Sequence, residues 1–393
     1  MATDPTVILA AQRTPLGAFQ GALASLSGPQ LGAAAIRGAV AASRVDPGEI
    51  DEVVMGCVLS AGLGQAPARQ AALGAGLGAS IPATTLNKMC GSAMRAVMSA
   101  ADQIAAGGAT VVVAGGLESM TNAPYLLPKA RAGYRMGHQE VLDHMFYDGL
   151  QSPWDGKLMG VFAEATAQRY GFGRAEQDAF ATESVRRAQD AARRAAFAAE
   201  ISPVTTRARS GEATVAADET PYTVAIEKIP SLKPAFRKDG TVTAASSSSI
   251  ADGAAALVLA SAAHAKARGL APLARIVGHA SFAREPEWFT LAPIGAIGKL
   301  LDRIGWRVGD VDLFEVNEAF AVVTMAAGRD LGLDPAKVNV NGGACALGHP
   351  IGATGARILT TLVHALRARG GRRGIASLCI GGGEATAVAV ELD

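Results

Sequence analysis

The chain lacks the features that mark disulfide-stabilised, nucleic-acid-binding and membrane-spanning proteins. Its 393 residues include only four cysteines, which are too few and too scattered for a disulfide framework. The 36 Lys and Arg residues nearly balance 35 Asp and Glu, so the basic field that a nucleic acid or a membrane surface attracts is missing. No run of 18 apolar residues is present, and no basic leader precedes the first apolar segment. We therefore predict a globular cytoplasmic protein with no nucleic-acid or membrane partner.

Glycine and hydrophobic residues are what the sequence has in excess. Hydrophobic residues make up 49% of the chain, and its length exceeds what one core normally serves, which predicts at least two lobes. The 46 glycines compare with roughly 28 expected at a background of about 7%. Glycine at this density indicates tight turns or backbone that approaches another group closely.

Short apolar runs alternate with alanine-rich helical stretches along most of the chain. Such alternation predicts an α/β fold with a parallel sheet and right-handed crossovers. The predicted strands are 7–11, 52–57, 83–87, 111–115, 313–316 and 375–380. The predicted helices are 29–43, 91–106, 174–199, 294–304 and 353–369.

Two segments recur at nearly the same spacing, which predicts an internal duplication. Residues 50–56 (IDEVVMG) resemble residues 311–317 (VDLFEVN), and residues 111–118 (VVVAGGLE) resemble residues 377–384 (SLCIGGGE). In a duplicated α/β unit, equivalent helix N-termini and strand ends from both halves can face one cleft.

The alternation of apolar runs and helical stretches breaks between residues 120 and 250, which predicts a large insertion in the first half. We expect an N-terminal domain of residues 1–119 plus 250–270, an inserted loop domain of residues 120–249 and a C-terminal domain of residues 271–393.

Cys90 is the first candidate for chemistry, in the segment TLNKMCGSAMRAV. A thiol at a helix N-terminus ionises more easily, and Gly91 would let a substrate carbonyl approach the backbone N–H groups. Free cysteine is equally often a small buried apolar residue, so from this segment alone both interpretations stay open.

Three further candidates lie on glycine-rich loops at predicted strand ends. His349 stands in a tight loop (GGACALGHPIGATG) that favours function over core packing. Cys379 ends a buried strand, where open sheets place their ligands, and the Gly381 N–H is available beside it as an oxyanion donor. Asn317 also follows a strand and can hold a water or a carbonyl, but it cannot take a proton.

Several kinds of site have no support in the sequence. Cys345 and His349 have no second ligand pair for zinc, and neither a phosphate-binding loop nor a serine nucleophile elbow is present. A Cys–His pair is typical of a hydrolase or an acyl transferase. The second cysteine indicates a proton-handling group in two-step acyl chemistry.

At these motifs the sequence resembles the thiolase family, in its acetyl-CoA acetyltransferase branch. The resemblance covers essentially the whole chain, in ordered motifs such as NKMCGS, GGLESMTNAPY, NEAFA, NGGACALGHPIGATGARIL and CIGGG. It implies duplicated α/β domains in a layered α-β-α-β-α core, an inserted loop domain that binds coenzyme A, and a homotetramer.

The resemblance also implies roles for individual residues. Cys90 would carry the acyl group, His349 would activate it and Cys379 would move the α-proton. Asn317 would hold a water at the enolate-like oxygen, and the N–H groups of Cys90 and Gly381 would bind the tetrahedral oxyanion. The implied substrate-binding residues are Met159, Phe236, Ser248 and Phe320.

The implied activity is reversible condensation of two acetyl-CoA molecules to acetoacetyl-CoA and coenzyme A, within fatty acid metabolism. No cofactor or metal is implied, since the coenzyme A thioesters are substrates. The alternatives are a degradative 3-ketoacyl-CoA thiolase of longer chain length, which Phe289 beside the acyl pocket would disfavour, and a catalytically inert acyl-CoA-binding homologue. A ketoacyl synthase would need histidine or asparagine at Cys379, and a thioesterase would leave Cys379 without a role. Three residues depart from the pattern of the family and bear on contacts with coenzyme A: Leu158, Ser246 and Ala385.

Overall fold

A computed structural model describes residues 4–208 and 211–393 of the chain. Within them the strands are β1 (Thr6–Arg13), β2 (Gly17–Ala18), β3 (Glu52–Gly56), β4 (Ala83–Leu86), β5 (Val111–Ser119), β6 (Tyr125–Leu126), β7 (Leu142–Asp143), β8 (Val204–Ala208), β9 (Gly211–Val215), β10 (Ala251–Ser261), β11 (Ala274–Ala283), β12 (Leu313–Val316), β13 (Arg373–Ile380) and β14 (Glu384–Glu391). The helices are α1 (Gly28–Ser43), α2 (Pro67–Gly74), α3 (Ser92–Ala105), α4 (Met159–Tyr170), α5 (Arg174–Arg193), α6 (Thr220–Thr223), α7 (Ala262–Ala267), α8 (Ala292–Ile304), α9 (Ala321–Leu331), α10 (Ala344–Leu347) and α11 (Thr354–Arg369).

The sheet order confirms the predicted duplication. Ten strands form one sheet in the order β12-β13-β14-β11-β1-β10-β5-β3-β4, with β2 on β10. From the central antiparallel pair β1–β11, the order runs β10-β5-β3 on one side and β14-β13-β12 on the other. The pairs β3–β5 and β12–β13 are both parallel, so the two halves share one topology.

The prediction of a parallel sheet is wrong for the strands nearest the centre. Strands β1, β5, β10, β11, β13 and β14 pair antiparallel with one another. For β13 and β14 the reason lies in their connection: only three residues join them, and so short a link permits only an antiparallel hairpin, because a parallel crossover needs a dozen or more residues.

Helices α3 and α11 occupy the middle of the molecule. Both helices share one apolar cluster with residues from both halves of the sheet, including Val112, Leu257 and Leu378. The intervening residues, such as Val113 and Val258, point the other way and pack with α1 and α2, while α8 and α9 cover the second half. This period-two alternation produces the layered α-β-α-β-α core.

The insertion leaves and re-enters the sheet at neighbouring positions. Ser119, at the end of β5, is the cross-strand partner of Asp252 in β10, and residues 120–250 lie between them. In the second half the equivalent hairpin, β13–β14, is closed by Gly381, Gly382 and Gly383 alone. The insertion therefore stands where the other half has a tight turn.

The helix predicted over 174–199 ends at Arg193. Beyond it the chain turns through Ala195, whose φ is +53°, and brings Glu200 to the fully buried Arg13, with 2.6 Å between the Arg13 Nε and Glu200 Oε1 atoms. Arg13 also donates two hydrogen bonds to the Asp218 carboxylate, so Glu200 completes a buried ion-pair cluster, and this tertiary contact overrides the helical pattern.

Most of the glycines at which a Cβ would clash allow two segments of this chain to pack closely against each other. A Cβ at Gly355 would lie 2.4 Å from the Met94 backbone nitrogen, where α11 passes α3, and one at Gly116 would lie 2.1 Å from the Gly352 carbonyl oxygen. At Gly91 a Cβ would lie 2.3 Å from Ile380 Cδ1, so packing against Ile380 favours glycine here, and the approach of a substrate stays a prediction.

No helix among residues 4–208 and 211–393 is both long enough and apolar enough to cross a membrane.

Gly355→Ala should destabilise the protein by about 1–3 kcal/mol, because the added methyl group meets backbone that cannot move aside. Gly328→Ala in α9 is the matched control, since a Cβ there has nothing within 4 Å and alanine is the better helix former. Thermal unfolding should show a lower midpoint for the first variant and an equal or higher one for the second. Equal midpoints would contradict the close approach of α3 and α11.

Candidate active site

A cavity of about 340 Å³ lies where the N-terminal ends of α3 and α11 meet, and seven of the nine predicted site residues line it. These seven are Cys90, Met159, Phe236, Ser248, Phe320, His349 and Gly381. Most other lining residues are apolar, among them Met120, Leu150, Leu158, Phe289 and Ile351. The predicted cleft shared by both halves is therefore present.

Cys90 is held in a sharp turn directly before α3. Met89 has a φ of +48°, an unusual conformation for a residue with a side chain. The Ser92 hydroxyl stabilises the turn, because it accepts from the Lys88 N–H at 2.8 Å and donates to the Met89 carbonyl at 2.6 Å. The turn presents the thiol to the cavity.

The Cys90 thiol is protonated at neutral pH, contrary to the expectation from its helix N-terminus. Burial raises the pKa of Cys90 to about 11, although the N–H groups of Gly381 and of Cys90 itself favour the thiolate. Desolvation therefore outweighs the helix end, and the thiol needs a base to become a nucleophile.

His349 has the geometry of that base. The Thr354 hydroxyl donates to the Pro350 carbonyl at 2.9 Å, so it accepts from His349 Nδ1–H at 2.6 Å. This arrangement places the ring proton on Nδ1 and leaves the lone pair on Nε2, a buried atom with no hydrogen-bond partner among the described residues. Burial and the Arg357 cation lower the pKa of His349 to about 3, so the ring stays neutral.

Glu118 holds the loop that carries His349, and the sequence analysis missed it. Its buried carboxylate accepts from the N–H groups of Val58 at 3.0 Å, Leu59 at 3.1 Å and Gly352 at 2.9 Å. Burial raises the pKa of Glu118 to about 7, against the opposing effect of these donors. The sequence does contain a signal for this role, because Glu118 is the acidic residue that ends the repeated segment 111–118.

Cys379 and Asn317 lie beside the cavity without being part of its wall. Cys379 is fully buried and packs in one cluster with Met159, Phe289 and Phe320. Burial and the neighbouring Cys90 raise the pKa of Cys379 well above its usual range. A thiol of this kind is a weak acid whose thiolate is a strong base.

Asn317 follows β12, and its backbone N–H donates to the Ser377 carbonyl of β13 at 2.9 Å. Its side chain is buried, and neither amide atom has a partner among the described residues. An unpaired buried amide is costly, so this side chain fits a bound water or a substrate oxygen.

Of the three glycines 381–383, Gly381 lines the cavity. A Cβ there would meet only Met159 Sδ at 3.7 Å, whereas one at Gly383 would lie 2.3 Å from the Arg284 carbonyl oxygen. Gly382 and Gly383 have φ values of +96° and +90°, which the hairpin turn requires. The Gly381 N–H and the Cys90 N–H both lie by the Cys90 sulfur.

Aromatic side chains form much of the rest of the wall. Phe320 lies edge-on to Phe236, with ring centres 5.8 Å apart, and to Phe289 at 6.4 Å. Ser248 is fixed by its backbone N–H, which donates to the Ala319 carbonyl at 2.9 Å.

Of the three departures, only Leu158 lines the cavity. Ser246 is buried in a turn with Thr243, and Ala385 is buried in the core of the second half.

Among residues 4–208 and 211–393, no three His, Cys, Asp or Glu side chains cluster closely enough to hold a metal ion.

The duplicated α/β fold, with a cysteine and a neutral histidine at the ends of its two central helices, defines a class of cysteine-dependent acyl-transfer enzymes. The chain belongs to the thiolase family: residues 6–263 match the thiolase N-terminal domain and residues 270–392 the thiolase C-terminal domain.

Curated relatives and solved structures are similar over nearly their whole lengths. An acetyl-CoA acetyltransferase of Pseudomonas aeruginosa is 50% identical over 98% of this chain and 99% of its own, and one of Escherichia coli is 49% identical over 98% of each. The crystal structure of the Bacillus anthracis acetyl-CoA acetyltransferase has a TM-score of 0.97 at 43% identity, over 99% of both chains. A thiolase from Ascaris suum in complex with coenzyme A has a TM-score of 0.93 at 42% identity, over 98% of this chain and 99% of its own.

Alkylation of Cys90 by iodoacetamide should accelerate steadily between pH 6 and pH 9. The rate follows the thiolate fraction, which rises about tenfold per pH unit below a pKa near 11. Cys57 and Cys345 are buried, with thiol pKa values far above the usual range, so Cys90→Ala should abolish most of the labelling. A plateau of the rate near pH 7 would show that the helix end controls ionisation after all.

Proposed function

We propose that this protein is an acetyl-CoA C-acetyltransferase that catalyses the reversible Claisen condensation of two acetyl-CoA molecules to acetoacetyl-CoA and coenzyme A. The observation that carries the proposal is a second buried thiol, Cys379, beside a Cys90–His349 pair in a small, largely apolar cavity. Full-length relatives at 46–50% identity that are named acetyl-CoA acetyltransferase support the same activity.

In the first half-reaction the acetyl group moves from coenzyme A to Cys90. His349 Nε2 takes the thiol proton, the sulfur forms a bond to the thioester carbonyl carbon, and the Cys90 and Gly381 N–H groups bind the oxyanion that forms. As the intermediate collapses, the bond to coenzyme A sulfur breaks and His349 returns the proton to the leaving thiolate. The neutral ring of His349 is the form that this step needs.

In the second half-reaction a new carbon–carbon bond forms. The Cys379 thiol first gives up its proton to solvent; its thiolate then removes an α-proton from a second acetyl-CoA, and the resulting enolate carbon attacks the carbonyl carbon of the acetyl group on Cys90. His349 and a water held by Asn317 stabilise the enolate oxygen. Cleavage of the bond to Cys90 sulfur then releases acetoacetyl-CoA, and the Cys90 thiolate takes up a proton from solvent to restore the resting thiol. The raised pKa of Cys379 makes its thiolate a strong base toward carbon.

The aromatic wall favours a short acyl group. Phe289 is buried, lines the cavity as predicted and packs against Phe320, so it limits the space available to a longer chain. A degradative 3-ketoacyl-CoA thiolase of broader chain length is the second candidate, because the remaining wall contains flexible side chains such as Met120 and Met159. An inert acyl-CoA-binding homologue is disfavoured, since the residues for both half-reactions are in place.

Coenzyme A binding is assigned to the inserted loop domain, residues 120–249, with Ser248 at its end. The domain boundaries remain as predicted from the sequence: residues 1–119 plus 250–270, and residues 271–393, flank it. Within the insertion Lys129, Arg131 and Arg135 are exposed cations that can attract the anionic coenzyme. We assign no cofactor or metal.

A homotetramer is part of the proposal. The insertion exposes several large apolar side chains, including Tyr125, Met136 and Trp154, which an interface between chains would cover. Light scattering in solution measures the mass that decides between one, two and four copies. A cytoplasmic location and a role in fatty acid metabolism stay predictions from the sequence.

Cys379→Ala should separate the two half-reactions. Transfer of labelled acetyl from acetyl-CoA to Cys90 should continue at a rate within about threefold of the parent, while condensation falls by 10³-fold or more because no base reaches the α-proton. The matched control is Cys345→Ala, another buried thiol, which should leave both rates unchanged. If condensation survived in the Cys379 variant, the proposed mechanism would be wrong.

Chain-length preference should favour the shortest substrate. We expect thiolysis of acetoacetyl-CoA to exceed that of a C8 or C10 3-ketoacyl-CoA by at least tenfold in kcat/KM, because Phe289 closes the acyl side of the cavity. Phe289→Ala should reduce this difference in kcat/KM, because it should raise kcat/KM for the C8 and C10 substrates. A preference of the parent enzyme for C8 or C10 would favour the degradative thiolase instead.

A further inference from the structure

The two N–H donors of the proposed oxyanion hole come from opposite halves of the chain. The Cys90 N–H belongs to the turn before α3, and the Gly381 N–H belongs to the turn between β13 and β14. The spacing of the two donors therefore depends on contacts between these turns, and an oxyanion hole works only when its donors are fixed before the reaction.

Packing supplies the first contact between the turns. Gly91 lies against the Ile380 side chain so closely that a Cβ would overlap it. A glycine against an aliphatic side chain prevents closer approach, but it provides little to stop the turns from separating.

An ion pair supplies the second contact. Lys88 Nζ bonds to Glu384 Oε2, across 296 residues of sequence. Lys88 precedes Cys90 by two residues and Glu384 follows Gly381 by three, so the pair joins the two turns directly. Within the described residues Glu384 forms no other ion pair.

Both ends of this ion pair are anchored to rigid backbone. The Lys88 N–H donates to Ser92 Oγ at 2.8 Å, at the first residue of α3. Glu384 is the first residue of β14 and lies opposite Ile380 in the hairpin. A change in the separation of the two side chains is therefore transmitted to the Cys90 and Gly381 N–H groups.

The pair contributes little to folding. The two side chains are 25% and 38% exposed, and such pairs typically stabilise a protein by about 0–1 kcal/mol. The fold does not need it, so its loss can be examined in a folded enzyme.

We propose that Lys88 and Glu384 are a positioning pair that sets the spacing of the oxyanion-hole donors across the two halves of the protein. The inference rests on the proposed acetyl transfer. Neither residue touches substrate; each acts through the turn that carries a donor.

The test compares two identical substitutions at opposite ends of one strand. Glu384→Gln removes the pair at the start of β14, whereas Glu391→Gln at its far end removes ion pairs with Arg373, at 2.9 Å in the native protein, and with Arg275. We expect kcat for condensation to fall about tenfold in Glu384→Gln with KM within twofold, and both constants to stay within twofold in Glu391→Gln. The melting temperatures of both variants should stay close to that of the parent.

A double-mutant cycle then tests coupling. Lys88→Met should match the loss in Glu384→Gln, and Lys88→Met/Glu384→Gln should lose no more than either single variant. An unchanged kcat in Glu384→Gln, an equal loss in Glu391→Gln, or a multiplied loss in the double variant would each overturn the proposal. If the parent protein forms no acetoacetyl-CoA at all, the proposed function fails instead, and the two failures are distinguishable.

Discussion

The close approach of α3 and α11 is the contact on which the rest of the structure depends. Both helices lie between the two halves of the sheet, and the atoms that would crowd a Cβ at Gly355 and Gly116 belong mainly to the backbone of the opposite element. Gly355 lies in the first turn of α11 and Met94 in the first turn of α3, so their contact brings the N-terminal ends of both helices to one place. Cys90 and His349 precede these two helix starts, so helix packing brings both side chains to one cavity.

Burial sets the chemistry of this pair more strongly than the helix ends do. It holds the pKa of Cys90 near 11 and that of His349 near 3, so thiol and imidazole are both neutral in the resting site. A preformed thiolate–imidazolium pair would be lost when apolar substrate displaced water, whereas a neutral pair exchanges one proton only as the carbonyl carbon is attacked. Thr354 supports this arrangement, since it fixes the tautomer that leaves Nε2 free.

The sequence predicted most of the elements, and most of the candidate residues that it singled out line one cavity, but it did not predict the residues that support them. Motif residues such as Cys90 and His349 are recognisable because their neighbours are glycines and strand ends. Glu118 and Thr354 were not predicted, because each acts through hydrogen bonds that exist only in the folded chain: Glu118 to backbone N–H groups and Thr354 to the His349 ring. The ionisation of Cys90 was predicted in the wrong direction, since a local pattern shows the helix start but not the desolvation around it. The antiparallel centre of the sheet was also not predicted. The only strong turn signal near β14 is the run of three glycines that precedes this strand.

Duplication alone would give two equivalent helix ends and therefore a symmetric site. The function consequently depends on the positions at which the two halves differ in structure. The clearest difference is the hairpin connection: β13 and β14 are joined by three glycines, and β5 and β10 by residues 120–250. The short turn leaves bare backbone at Gly381 beside the Cys90 sulfur, which a larger loop would cover. The long connection supplies Met159, Phe236 and Ser248 to the cavity wall, which a turn could not reach. The second half thus contributes the exposed Gly381 backbone, and the first half contributes both the Cys90 turn and the enclosure, because the same position in the repeat is short on one side and extended on the other.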